Sequence, residues 1–264
     1  DLNTSESPHI FREIRSAAES GWDFSSRWIL NKNQSGGYSL KDLAVTSLAP
    51  VDLNAFLYSM ESSMSHLYSV LGNTHASGRF SKAAVRRKNA IMKVMAHGSP
   101  ARFFDVDIKT GKPSPYSTAA EYTIMWAGLL DDWDSKEKDE YAARIAKSTL
   151  LRPAGISTTE INSGQQWDMP NSWPPLQELV CVGLQRLNTE YSQNLARSVA
   201  ERWLRSNYKA WKPKGYMFEK YNAIVCGKGG QGGEYQVQVG FGWSNGVALQ
   251  LMKLYPDVDV TAPC

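Results

Sequence analysis

Two acidic residues stand out for the company they keep. Asp23 lies in E-S-G-W-D-F-S-S-R-W, residues 19–28, between Trp22 and Phe24, with Arg27 and Trp28 close behind. Glu234 lies in C-G-K-G-G-Q-G-G-E-Y-Q-V-Q-V-G-F-G-W-S-N-G, residues 226–246, a glycine-dense loop that delivers it beside Tyr235, Phe241 and Trp243. A carboxyl group among aromatic rings loses solvation, which favours its protonated form and suits a general acid. The plainer reading of Asp23 is a local cap ahead of Ser25-Ser26, and this window alone leaves both readings open. The plainer reading of the glycine run is a flexible linker, but linkers do not carry three aromatic residues at such close spacing.

A third stretch, Q-W-D-M-P-N-S-W-P-P-L-Q over residues 166–177, gathers Trp167, Asp168, Asn171, Trp173 and Gln177. Indole faces take the C–H face of a sugar ring, and amides and carboxylates supply donors and acceptors for its hydroxyls. The same residues also suit a rigid Trp/Pro corner, with Ser172 as a cap and Pro174 opening a helix.

Other chemistries fit less well. Gly227, Gly229 and Gly232 match G-x-G-x-x-G, but a dinucleotide site needs a helix to open there. Val237, Val239 and Phe241 instead alternate with Gln236 and Gln238, a strand pattern. Gly242, Ser244 and Gly246 match G-x-S-x-G, but the histidines, at 9, 66, 75 and 97, all precede the serine, against the hydrolase order. Asp105 and Asp107 lack the oxygen-rich spacing of a metal site and read as a solvated strand face. No metal or cofactor is expected.

The elements that must position these loops are helical. Leu53, Phe56, Leu57, Met60, Met64, Leu67, Tyr68 and Leu71 recur at helical spacing, and Gly72 is a stop. Further helices are predicted at about 77–96, 117–131, 135–151, 174–187, 190–211 and 244–254, with a short segment over Phe11–Ser20 and a small strand and turn within 99–116. The methionines of the first two helices read as core, and Arg86-Arg87-Lys88 as a wet helix face. The expectation is an all-α scaffold with elaborate loops on one rim and little strand.

The chain has 264 residues, 42% of them hydrophobic, and a net charge of +3. That is ample for a core and too weakly basic to argue for nucleic acid. No apolar run has the length to span a bilayer. Cys181 reads as a core residue, while Cys226 and Cys264 could pair with each other or with another chain. Asn3-Thr-Ser and Asn33-Gln-Ser are glycosylation patterns; together with the cysteines they point to a secreted or extracellular protein. The start at Asp1, without Met, is read as processing.

Four segments carry a family resemblance. Residues 166–177 look like the trehalase signature Q-W-D-x-P-x-[GAS]-W-[PAS]-P, and residues 19–28, 50–57 (P-V-D-L-N-A-F-L) and 232–246 match further segments in family order. The resemblance implies an (α/α)6 toroid of which residues 1–264 form the C-terminal catalytic part, and hydrolysis of α,α-trehalose with inversion and without a cofactor. It puts the general acid on Asp23 and the general base on Glu234. Gly21, Trp22, Arg27, Trp167, Asp168, Asn171, Trp173 and Trp243 are its implied substrate-binding residues. The family's P-G-G-R-F signature and upstream arginines are absent, and a closed toroid needs twelve helices. The expected partner is therefore an N-terminal fragment that completes the toroid, whose lack would leave apolar helix faces bare. Two alternatives stand beside the hydrolase: a non-catalytic sugar-binding or storage protein on the same fold, and a hydrolase of another α-glucoside.

Overall fold

A computed structural model describes residues 7–30 and 38–264. The glycosylation patterns at Asn3 and Asn33 lie outside the described residues. Eight α-helices appear among those described: α1 (Ser7–Ser20), α2 (Val51–Val70), α3 (Thr74–Val94), α4 (Thr123–Trp126), α5 (Ser135–Ala146), α6 (Pro174–Leu187), α7 (Glu190–Trp211) and α8 (Gly242–Leu254). The strands are two-residue pairs: β1 (Leu48–Ala49), β2 (Ala96–His97), β3 (Arg102–Phe103), β4 (Val106–Asp107), β5 (Leu151–Arg152), β6 (Gly155–Ile156), β7 (Asn171–Ser172) and β8 (Tyr221–Asn222). The chain is thus all-α with a few short strands.

Local chemistry sets the helix ends. Asn73 caps α3 by accepting from Ala76 N, and Asp134 with Glu137 forms a capping box on α5. Pro174 opens α6, and Asn188 ends it in the left-handed region at φ 57°. The residue at the cap of α6 is Trp173, with no side-chain cap bond; Ser172 belongs to β7, because the chain there is drawn into a strand pair. α1 starts earlier than its apolar pattern suggests, at Ser7. Within 117–131 the helix shortens to a 3₁₀ turn, Ala119–Tyr122, followed by the single turn of α4.

The connections fall into two kinds. α2 to α3 and α6 to α7 are tight hairpin turns, whereas long segments follow α1, α3, α5 and α7. Antiparallel helix pairs therefore send every long loop to the same end of the array. The strands knit those loops together: β1 pairs β4, joining the segments after α1 and α3, and β7 pairs β8, joining those after α5 and α7. The alternation at 235–241 does not become a strand. Val239 makes one isolated bridge to Phe218, and no neighbouring strand among the described residues extends the ladder.

The core includes Trp28, Tyr122, Ile145, Cys181 and Trp203, all fully buried. Leu53, Phe56, Met60 and Leu67 of α2 are 41–54% exposed, although their spacing matches a buried stripe. α2 turns Val51, Ala55 and Glu61 inward instead; Phe56 meets the Trp126 ring of α4 edge-on at 5.6 Å, while Leu53, Met60 and Leu67 stay open to solvent. Met60 is thus not core, whereas Met95 is. Arg87 is not a wet residue either: it holds Glu61 through Nε and Nη2 at 2.9 and 2.8 Å.

Cys226 and Cys264 form a disulfide, with Cα atoms 6.3 Å apart, leaving Cys181 as the free thiol. Closing a loop across 38 residues stabilises a fold by roughly 2–4 kcal/mol. Replacing both cysteines by serine should lower the thermal midpoint by several degrees in calorimetry. Thiol labelling should find one reactive group after denaturation and none before it; two further free thiols would contradict the pairing.

Candidate active site

Three loops meet over the rim. The first, after α1, carries Asp23. The second, between β6 and α6, carries Trp167 and Trp173. The third, between α7 and α8, carries Glu219 and the glycine run. Together they line a cleft of about 440 Å³ with Gly21, Asp23, Gln166, Trp167, Trp173, Glu219, Tyr235, Gln236, Gln238 and Trp243.

The aromatic wall is a packed unit. Trp167 stacks on Trp173 at 4.0 Å and on Trp22 at 5.2 Å, and Trp243 meets Trp173 edge-on at 5.5 Å. Backbone acceptors fix the indoles: Trp173 Nε1 donates to Gln166 O at 2.9 Å, and Trp243 Nε1 to Glu219 O at 2.8 Å. Rings held at both face and edge can meet a sugar without first losing side-chain freedom.

Asp23 is half-buried in this wall. Burial raises its carboxyl above the usual range, and its own backbone N–H, the Trp167 indole and the Lys220 cation offset part of that rise. The Trp167 N–H is itself buried and closes no hydrogen bond of ordinary geometry. Gln166 Nε2 donates to the Asp23 carbonyl. The helix-cap alternative for Asp23 falls away, since Ser25 caps the 3₁₀ turn Ser26–Trp28 by accepting from Arg27 N.

Asp168 secures this segment from beneath. It is fully buried, and it accepts from Ser25 Oγ, Ser26 N, Ser26 Oγ and Thr159 Oγ1 at 2.7–2.8 Å and from Ser163 Oγ. Desolvation raises its carboxyl, and the bonds from Ser163 and the Ser25–Ser26 pair oppose that rise. Asp168 therefore has no free lone pair for a sugar; it holds the Asp23 loop to the Trp167 loop.

Arg27 departs from its expected role in the same way. Its guanidinium is buried and forks to Asp52 at 2.7 Å and to Asp105 at 2.7 and 2.8 Å, with Trp22 and Trp28 stacked at 4.5 and 4.3 Å. Burial works against its charge, and Asp105 and then Asp52 outweigh it. Asp105 is accordingly a buried ion-pair partner and not a solvated strand residue, while Asp107 accepts from Lys109 N and Thr110 N in the following turn. Among the described residues no cluster of three or more His, Cys, Asp or Glu could hold a metal.

Asn171 is also buried below the cleft. It donates to Gln166 O and Gln231 O and accepts from Gln231 N, so it tethers the glycine run. That run is pressed against the second loop. Gly232 and Gly233 have φ of +80° and +85°, and a Cβ on either would stand 2.6 Å from Gly164 O or from Gln166 Cβ, a fit only glycine allows. The linker reading fails on these contacts.

The structure therefore brings Gly21, Asp23, Trp167, Trp173 and Trp243 to one cleft and places Trp22, Arg27, Asp168 and Asn171 behind it. Glu234 is exposed, and Tyr235 rather than Glu234 lines the cleft. The carboxylate that shares the cleft with Asp23 is Glu219. Its Oε2 accepts from Gln238 N at 3.1 Å, and its carbonyl holds Trp243. Sequence reasoning passed over it, yet Met217-Phe218-Glu219-Lys220-Tyr221 is another carboxylate among aromatic residues, the signal that marked Asp23.

An aromatic cleft with two carboxylates, set on the loop face of an α/α array, is the kind of site that handles carbohydrate. The trehalase family model matches residues 2–256, and this chain belongs to the trehalase family. It is 38% identical to the trehalase of Apis mellifera over 257 residues, 96% of this chain and 40% of that protein. It is also 38% identical to the trehalase of Homo sapiens over 250 residues, 94% and 42% of the two chains. The chain thus spans less than half the length of these curated relatives. In fold it is similar to the neutral trehalase Nth1 from Saccharomyces cerevisiae, with a TM-score of 0.72 at 23% identity over 96% of this chain and 44% of that one. It is likewise similar to a GH63 mannosylglycerate hydrolase from Thermus thermophilus solved with glucose, at 0.64 and 16% over 90% and 61%. The helices of this chain are accordingly part of an α/α toroid.

Breaking a buried ion pair from one side strands a charge. Arg27→Met should lower unfolding free energy in urea by roughly 3–5 kcal/mol, and Arg27→Lys should recover only part because it cannot fork to two carboxylates. A loss below about 1 kcal/mol, the range of an exposed pair, would contradict the buried clamp.

Proposed function

We propose that the protein hydrolyses α,α-trehalose to two glucose molecules with inversion, with Asp23 as general acid and Glu219 as general base. What supports this reading most is that Asp23 and Glu219 line one cleft whose walls are Trp167, Trp173 and Trp243. The family places the chain among trehalases, and the cleft contains the groups that the reaction needs. The C–H faces of a glucose ring lie on the indoles, while Gln166, Gln236 and Gln238 offer donors and acceptors to its hydroxyls.

The two carboxyl groups then divide the work. Asp23, whose protonated form desolvation favours, donates its proton to the bridging oxygen as the C–O bond breaks. Glu219 takes a proton from a water that attacks the anomeric carbon from the opposite face. An inverting site leaves room for that water by keeping the carboxyls ~6.5–9.5 Å apart. The sequence motif alone points to Glu234 as the base. Its exposure, and the place of Glu219 inside the cleft, favour Glu219, with Glu234 carried on the loop that presents Tyr235.

The chain is read as the C-terminal part of the toroid, completed by an N-terminal fragment; that its relatives are more than twice as long as the matched stretch supports this reading. The bare apolar face of α2 supports that reading, since exposed faces of this kind mark association. A secreted setting fits the Cys226–Cys264 disulfide, because such bonds persist in oxidising compartments.

Replacing the acid or the base in such sites lowers turnover by roughly 100- to 10,000-fold or more. Asp23→Asn and Glu219→Gln should do so with folding intact, while Glu234→Gln should retain most activity. Steady-state glucose release from trehalose by the native protein checks this. A large loss in Glu234→Gln with little in Glu219→Gln would move the base to Glu234, and trehalose binding without glucose release by the wild type would leave a sugar-binding protein. Activity should also fall as pH rises through the elevated pKa of Asp23, because the acid must hold its proton. A profile still rising above pH ~8, where any modestly raised carboxyl has ionised, would contradict that role.

A further inference from the structure

Lys220 is fully buried, and the reaction above leaves it unused. Its ammonium donates to Gln166 Oε1 at 3.1 Å and to Gly232 O at 3.0 Å, and it lies 5.2 Å from the centroid of the Trp173 ring. The charged groups that act on it are Glu219 and Asp23. The rest of its contacts are neutral: an amide, a peptide carbonyl and an indole. A buried cation persists where opposite charge answers it, and Glu219 and Asp23 act on Lys220 through space, without a direct ion pair among the described residues. Burial pushes the ammonium down to about 8, with Glu219 and then Asp23 holding its proton against that pull.

The same side chain joins all three loops of the site. Gln166, which accepts from Lys220, donates to the Asp23 carbonyl and accepts at its own carbonyl from Trp173 and Asn171. Gly232 belongs to the glycine run, and Gly230 N donates to Lys220 O at 2.8 Å. A Cβ at Gly230 would stand 2.6 Å from Lys220 Cγ, so the run is moulded on this lysine. Lys220 stands behind the residues that line the cleft.

The reaction defines what such a cation can do. Before cleavage Asp23 holds a proton and Glu219 holds the negative charge. Asp23 then gives its proton to the bridging oxygen, and Glu219 takes one from the attacking water. The pair carries one negative charge throughout, which leaves Glu219 and appears on Asp23. We propose that Lys220 is a positioning residue whose ammonium is the fixed counter-charge to that migrating negative charge, and that it locks Gln166 and Gly232 around the two carboxyl groups. A preorganised charge of this kind needs no rearrangement as the reaction proceeds. The proposal rests on the assignment of Asp23 and Glu219 above.

Coupling between charges is reciprocal, so it can be read from the lysine itself. In the full-length native protein with isotope-labelled lysine side chains, NMR should show one lysine titrating near 8, assigned by its loss in Lys220→Met. In Glu219→Gln its midpoint should fall by roughly one pH unit, as expected when an opposite charge at close range is removed. A midpoint unmoved in both Glu219→Gln and Asp23→Asn overturns the proposal. If Lys220→Met does not fold, Lys220→Arg supplies the assignment and the titration decides alone. Where it folds, the acid limb of kcat/KM on trehalose should move to higher pH in Lys220→Met and return in Lys220→Arg. An unmoved limb would leave Lys220 a packing residue. A wild type inactive on trehalose would sink the reaction instead, while the titration would still judge the coupling.

Discussion

The site depends on one buried carboxylate. Asp168 gathers hydrogen bonds from two loops that are far apart in sequence: Ser25 and Ser26 from the segment that carries Asp23, and Thr159 and Ser163 from the segment that carries Trp167. A buried carboxylate is tolerated only when its lone pairs are met. The donors must therefore assemble around Asp168, and their assembly sets the distance between Asp23 and the aromatic wall. Arg27 repeats the arrangement in the same turn, tying it to Asp52 at the start of α2 and to Asp105 after β3. The turn that follows Asp23 is thus clamped twice.

Above the clamps, the aromatic rings do two jobs at once. Trp167, Trp173 and Trp243 pack against one another and so resemble a core, yet their outer surfaces line the cleft. Their burial also removes water from Asp23 and raises its carboxyl. The environment that would bind a sugar ring is also the one that favours the protonated form of Asp23. The glycine run closes the arrangement from the third side, held by Asn171 and Lys220 through its peptide groups. Loops of this kind can carry chemistry because the helices beneath them are rigid and send them all to one rim.

Much of this was legible in the sequence, and the parts that were not share a cause. Helix hairpins follow from apolar spacing and from local stop and cap signals, which act over a few residues. Asp23, Trp167, Trp173 and Trp243 were legible because a carboxylate or amide among indoles is an uncommon local composition. Arg27, Asp168 and Asn171 were misread as substrate contacts, since a polar side chain in such a window looks the same whether its partner is a sugar or another loop. The partner that decides the matter for Arg27 is Asp105, 78 residues away. Glu219 and Glu234 both stand among aromatic residues on one loop, and only the folded loop shows that Glu219 lines the cleft while Glu234 is exposed. The alternation at 235–241 failed as a strand for a related reason: a period of two predicts a ladder only where a neighbour stands ready to pair. The exposed stripe on α2 has the periodicity of a core face, and periodicity does not reveal what lies opposite.

The central claim is that Glu219, from inside the cleft, activates the nucleophile that attacks opposite Asp23. Chemical rescue tests it most directly. Azide needs no general base, so added azide should restore trehalose cleavage to Glu219→Ala, with Asp23 still protonating the leaving group, and the product should be β-glucosyl azide, the inverted anomer. Rescue confined to Glu234→Ala, or an α-glucosyl azide product, would contradict the account.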